Sequence, residues 1–141
     1  MSKRPDSLEH ALHTSHTWLN SVAEALGTTD HQLAYRALRA WLHTFRDRLT
    51  VDVAANFAAQ LPELLRGVYY EGWDPSTVPV KYDREAFTER FAREAIIPVE
   101  EVPDTLSSIT AGLHQRLSPG QLELVLQQFP HDVRALLQPL P

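Results

Sequence analysis

Thr29-Asp30-His31-Gln32-Leu33-Ala34-Tyr35-Arg36-Ala37-Leu38-Arg39-Ala40-Trp41-Leu42-His43-Thr44-Phe45-Arg46-Asp47-Arg48-Leu49 decides how this chain folds. Leu33, Ala37, Leu38, Trp41, Leu42, Phe45 and Leu49 recur at steps of three and four, which gathers them on one face of a helix. The stripe is broad and lasts roughly five turns, too long and too regular for a strand. Thr29-x-x-Gln32 has the capping-box pattern that satisfies two otherwise unpaired backbone donors, so the helix is expected to open there.

The same periodicity continues outward. Upstream, Leu8, Ala11, Leu12, Ser15, Trp18, Leu19, Val22, Ala25 and Leu26 form a first helix, with Gly27 as its stop. Downstream, Thr50 is a suitable N-cap for a third helix carrying Ala54, Phe57, Ala58 and Leu61. Pro62 fits the first turn of a short fourth, from Glu63 to about Val68, ended or bent near Gly67. A loop from about Tyr70 to Tyr82 follows. Asp83 caps a fifth helix with Phe87, Phe91 and Ala95 on one side. A sixth begins near Glu100, because Pro103 is tolerated only in a first turn, and its stripe is Val102, Leu106, Ile109, Leu113 and Leu117. Ser118-Pro119-Gly120-Gln121 reads as a cap, a first-turn proline and a capping-box glutamine for a seventh. Pro130 opens the eighth, with Val133, Leu136 and Leu137. No segment alternates with period two, so the expected class is all-α.

The two halves read as copies. An offset of 68 positions, which carries Leu49 onto Leu117, also carries Leu38 onto Leu106, Trp41 onto Ile109 and Phe45 onto Leu113. Matching stripes alone are weak, since any two amphipathic helices align. The same offset also pairs Arg48 with Arg116, Thr50 with Ser118, Gln60 with Gln128, Pro62 with Pro130 and Arg66 with Arg134. The expectation is about eight helices in one domain, as two pseudo-repeated four-helix units sharing one core: unit one about 7–69, the joining loop about 70–82, unit two about 83–138. Arginines present in both units are expected to serve helix ends or neighbouring carboxylates twice over.

At 141 residues the chain suits one domain with a substantial core. Apolar residues make up 43% and charged residues 22%, an ordinary globular balance. Thirteen Lys and Arg against 18 Asp and Glu give a formal charge of −5, which argues against a dedicated nucleic-acid binder. The turn at Leu49-Thr50 only loosely resembles a helix-turn-helix, and Val51 to Gln60 contains Asp52 and no Lys or Arg. With no cysteine, disulfides, thiol nucleophiles and Cys-ligated metals are excluded. The polar start, Met1 to Pro5, has no apolar run behind it, and no run approaches the ~20 residues that cross a bilayer. A cytoplasmic protein is expected.

Leu49-Thr50-Val51-Asp52 and the run Ala59-Gln60-Leu61-Pro62-Glu63-Leu64-Leu65-Arg66-Gly67-Val68-Tyr69-Tyr70-Glu71-Gly72-Trp73-Asp74-Pro75 carry a resemblance, as do Arg36-Ala37-Leu38-Arg39-Ala40 and Phe45-Arg46-Asp47-Arg48-Leu49. From about Thr14 onward the chain resembles a bacterial family of uncharacterised proteins, the domain of unknown function numbered 2267. The resemblance implies an all-helical domain, alone or joined to other modules. It transfers no activity, cofactor or catalytic residue.

The repeat breaks after Arg66, and the loop beyond it concentrates the chemistry. Arg66, Tyr69, Tyr70, Glu71, Trp73 and Asp74 are the candidate binding residues, because amphipathic aromatics on a connection suit a contact surface. The plainer alternative is that Trp73 and one tyrosine plug the seam while Asp74-Pro75 makes a turn. For Trp73 the plainer reading is preferred, since a loop of about 12 residues needs an anchor. His10, His13 and His16 follow none of the common metal spacings and are read as a solvated face. His43 and His114, near the ends of the long helices, are placed where the dipole favours a cation. No nucleophile elbow or glycine-rich phosphate loop occurs. The expectation leans against an enzyme and toward an interaction or scaffold domain with an unidentified protein partner, no catalytic residues, no metal and no cofactor, and it leaves self-association open. The alternative is a small-molecule-binding or hydrolytic protein with a seam pocket beside Arg66, Tyr70, Glu71 and Asp74.

Overall fold

The computed structural model describes residues 5–138, so the polar first four residues that argued against a leader lie outside it. Eight α-helices run in order: α1 Asp6–Leu26, α2 His31–Asp47, α3 Val51–Ala58, α4 Glu63–Tyr70, α5 Arg84–Ala95, α6 Val102–His114, α7 Gln121–Leu126 and α8 His131–Leu137. A 3₁₀ turn at Val99–Glu101 leads into α6, and no strand occurs among the described residues. No helix among them is long and apolar enough to cross a membrane.

Local chemistry sets most helix limits. Gly27 ends α1 in the left-handed conformation, and its N–H and that of Thr28 close the last turn. Thr50 and Asp83 cap α3 and α5 through side-chain oxygens, as their sequence positions suggest. The start of α2 differs from expectation. Asp30, not Thr29, accepts from the Gln32 and Leu33 N–H groups, while the Asp30 N–H donates to Thr28 Oγ1. Gly67 does not end α4, which continues to Tyr70 because packing on α1 and α2 outweighs one glycine's weak helix propensity. Ser118 and Pro119 lie in a turn ahead of α7, and Gly120, with φ of 83°, occupies the N-cap position.

The α5 terminus is unusual. Ile96 adopts the left-handed conformation at φ 58°, although it is β-branched, and 72% of it is exposed. Ile96→Gly is therefore expected to raise unfolding stability by about 0.5–1 kcal/mol, seen as a higher midpoint in urea. An unchanged or lower midpoint would show that the backbone there carries no strain.

Contacts between helices come in matched sets. α1 packs most extensively on α6, and α5 packs on α2. α1 touches α2 and α4, as α5 touches α6 and α8; α2 meets α4 as α6 meets α8. α2 also meets α6, and α3 meets α7. At the α1–α6 crossing Gly112 admits α1's backbone so closely that a Cβ there would sit 2.9 Å from the Ser21 carbonyl oxygen. Both halves feed one continuous core. At its centre the Phe45 ring stacks on Trp41 and Phe129, centroids 4.5 and 5.2 Å away, and lies tilted against Phe57 at 4.9 Å. Ile109, which the 68-position offset matches to Trp41, is fully buried like it.

Candidate functional site

The six candidate residues do not form one surface. Arg66 reaches back to the end of α3, donating from Nε to the Ala58 carbonyl at 3.1 Å and from NH2 to that of Leu61 at 3.0 Å. Arg134 donates to Phe129, the position 68 residues beyond Leu61, at 3.2 Å. Arg66 thus caps the end of α3, while Arg134 reaches only the turn after α7 and its Nε is buried without an acceptor. Arg48 and Arg116 do not share a job: Arg48 lies 5.9 Å from the Phe129 ring centroid, whereas Arg116 donates to Ser21 Oγ at 2.6 Å.

Tyr69 is completely buried rather than a contact residue. Its hydroxyl donates to the Ala54 carbonyl at 2.9 Å, and burial pushes its ionisation far above the ordinary tyrosine range. Tyr70 lies edge-on to Tyr69 and against Trp73, the two ring pairs 5.4 and 5.3 Å apart. Trp73 is half-buried against the core, as an anchor should be, but its indole N–H is buried without an acceptor. Glu71 and Asp74 are exposed. Glu71 pairs with Arg39 at 2.8 Å. Asp74 Oδ1 accepts from the Ser76 hydroxyl and amide, and these bonds hold its carboxyl below the usual range. The segment from Tyr70 to Thr77 is therefore a folded corner with an aromatic inside and carboxylates outside.

What fixes this corner is a polar network that the candidate list lacks. Arg46, on α2, is 2% exposed. Its NH1 donates to the Tyr69 and Glu71 carbonyls at 2.7 and 2.8 Å, and its Nε to Asp47 Oδ1 at 2.8 Å. Asp47 Oδ2 accepts from Arg90 at 2.8 Å, and Arg90 donates to Glu94 at 2.7 Å. The Arg90 guanidinium also lies over the Tyr82 ring, and the Val80 N–H donates to the Asp47 carbonyl, which draws in the far end of the loop. One guanidinium thus terminates α4 by filling two carbonyl lone pairs that no further helical turn can reach. The one sequence signal for it was the uncharged run Ala40 to Phe45, which marks α2 as buried on all sides just where Arg46 follows.

His43 completes the arrangement. Its Nε2 lies 2.7 Å from the Val68 carbonyl, an acceptor, so this nitrogen carries the proton, and Nδ1 is 4.0 Å from Glu94 Oε1. Burial lowers its pKa, with Arg46 and Arg39 acting in the same direction and the Val68 bond and Glu94 opposing. The expected dipole-stabilised cation is thus a neutral donor. Because the unfolded chain takes up a proton at about 6.5 and the folded chain only lower, this group stabilises the fold above that pH. Stability is lost as pH falls below it. His43→Gln, which keeps a donor but does not titrate, is expected to flatten the decline between about pH 6.5 and 5 in urea unfolding. Parallel pH curves for the two proteins would rule this out.

His114, by contrast, is exposed and pairs with Glu123, whose carboxyl is held low by its own backbone N–H and by that imidazole. The pair lines a cleft of about 420 Å³ with Leu122, Leu126, Arg134 and Gln138. His10, His13 and His16 are exposed along α1, and among the described residues no three His, Asp or Glu side chains converge to hold a metal.

Two comparisons with known proteins bear on identity. No curated protein matches the chain. The profile of a family described as "Uncharacterized conserved protein (DUF2267)" matches residues 15–136, from the middle of α1 to the end of α8, and includes the whole pinned corner. The chain belongs to this family.

Proposed function

We propose that the protein is a non-enzymatic interaction module that displays the corner from Tyr70 to Thr77 to a protein partner. One observation carries this reading: the corner's exposed carboxylates and half-exposed aromatic stand on a backbone held by a buried guanidinium. A surface ordered in advance loses little entropy on binding, which is what contact residues on a scaffold need. A connection that merely closed the chain would need neither the aromatic pair nor Arg46.

The reading extends to the two halves, which we take as copies of one four-helix unit, 7–69 and 83–138, joined by 70–82. Matched helix contacts, and the carbonyls of Leu61 and Phe129 that Arg66 and Arg134 reach at the same offset, support this. Within it the corner lies in the joining segment, outside both copies. The acidic charge of −5 argues against a nucleic-acid partner.

The test separates binding from folding. Tyr70→Ala and Asp74→Ala are expected to change stability by less than about 1 kcal/mol, while recovery of the partner by tagged protein from its native extract falls by roughly tenfold. Full recovery with both variants would remove the corner as the site. A small-molecule-binding or hydrolytic reading is favoured by one feature, the His114–Glu123 pair in its cleft. A protein that captures a small molecule from extract and loses it on His114→Ala would make that reading the better one.

A further inference from the structure

A different surface stands out in the first half. α1 and α4 run side by side with Tyr35 of α2 between them, and they enclose a groove of about 250 Å³ walled by Leu12, Leu19, Leu64, Leu65 and Val68. The exposed wall is almost entirely carbon. A second hollow of about 260 Å³ continues toward the starts of both helices, past Ala11, Thr14 and Glu63. Tyr35 and Leu64 stand along the first of these with 41% and 44% of their surface in water. The α1 residues that line the two hollows run from Ser7 to Leu19, which at ~1.5 Å per residue makes the channel about 18 Å long, apolar over its Leu12–Leu19 part. Contiguous apolar surface of this kind marks a docking site more often than scattered leucines do.

We propose that this groove receives an amphipathic helix of a partner protein, about three turns long, apolar on its buried side and basic where it passes Glu63. The channel's chemistry selects a helix. An extended segment would lay its own N–H and C=O groups against leucine and valine walls, and each one left unpaired costs about 1–3 kcal/mol. A helix pairs its backbone internally and presents side chains at i, i+3, i+4 and i+7. Charge selects the partner. Among residues lining the two hollows Glu63 is the one carboxylate, and none is Lys or Arg. The whole chain carries −5, so a second copy would bring like charge, and a basic helix would bring the complement. This surface is separate from the corner at Tyr70 to Thr77 and does not depend on it.

The test uses the full chain, isotope-labelled, and a synthetic leucine- and lysine-containing peptide of about four turns. A peptide of the same composition, shuffled to lose its apolar face, is the control. The expected result is saturable binding of the first peptide, with amide shifts confined to the walls around Leu12, Leu19, Tyr35, Leu64 and Val68. Leu64→Glu is expected to weaken it by roughly tenfold or more with the melting temperature held, and Tyr35→Glu provides the same reading should that variant not fold. Tyr70→Ala and Asp74→Ala should leave peptide affinity unchanged, which keeps this result apart from the fate of the corner. Absence of saturable binding, equal affinity for the shuffled peptide, shifts elsewhere on the surface, or undiminished affinity in the groove variants would overturn the proposal. So would a concentration-dependent dimer lost on Leu64→Glu, since the occupant would then be a second copy.

Discussion

Arg46→Ala is expected to cost about 3–5 kcal/mol of unfolding free energy, one of the two largest effects of any single substitution proposed for this chain. The loss comes from what the guanidinium leaves behind. The Tyr69 and Glu71 carbonyls, at 2.7 and 2.8 Å from NH1, lose their donor. Neither can be served by the next helical turn, because the chain leaves α4 at Glu71. Asp47 loses one of its two cationic partners and keeps Arg90. Arg46→Lys tests geometry against charge: the ammonium keeps the charge but not the planar fork that reaches two carbonyls and a carboxylate together. It should recover less than half of the loss. Urea unfolding of the three proteins measures this directly, and an Arg46→Ala cost below about 1 kcal/mol would show that the network is dispensable.

Trp41→Ala is expected to cost a similar amount, about 3–5 kcal/mol, for an unrelated reason. Trp41 is completely buried, stacks on Phe45, and donates from Nε1 to Thr110 Oγ1 at 3.1 Å. Its removal leaves a cavity where α2 crosses α6, lined by helices too tightly packed to collapse into it. Trp41→Phe separates the two contributions, retaining much of the ring but not the N–H, and should cost about 1–2 kcal/mol. Equal losses in both variants would mean that the hydrogen bond, and not the volume, dominates.

The sequence was most legible where one local rule decides. Thr50, Asp83 and Gly27 act as helix boundaries because cap chemistry needs one side chain, or none, at one position. It was less legible where neighbours compete. Thr28, Thr29 and Asp30 are all able to cap, and the carboxylate takes the role because it accepts from two amides at once. At Gly67 the local preference was overruled by tertiary packing that keeps Tyr69 in the core. The site was read least well. Tyr69 and Tyr70 are adjacent and chemically alike, yet helix rotation buries one and leaves the other half-exposed. Arg46 was invisible as a core residue, since nothing in a run of side chains reveals that carbonyls 23 and 25 positions away will surround it.

The contact at Gly112 bears on how the chain is made. α1 emerges from the ribosome well before its largest partner, α6, which follows only after more than 70 further residues have been added. Until then Ser21 and Val22 lack the backbone that finally approaches them so closely. The first four helices cannot reach their finished form before α6 is made. Closure is a late, long-range event, and α1 waits with an apolar stripe exposed to whatever binds nascent chains.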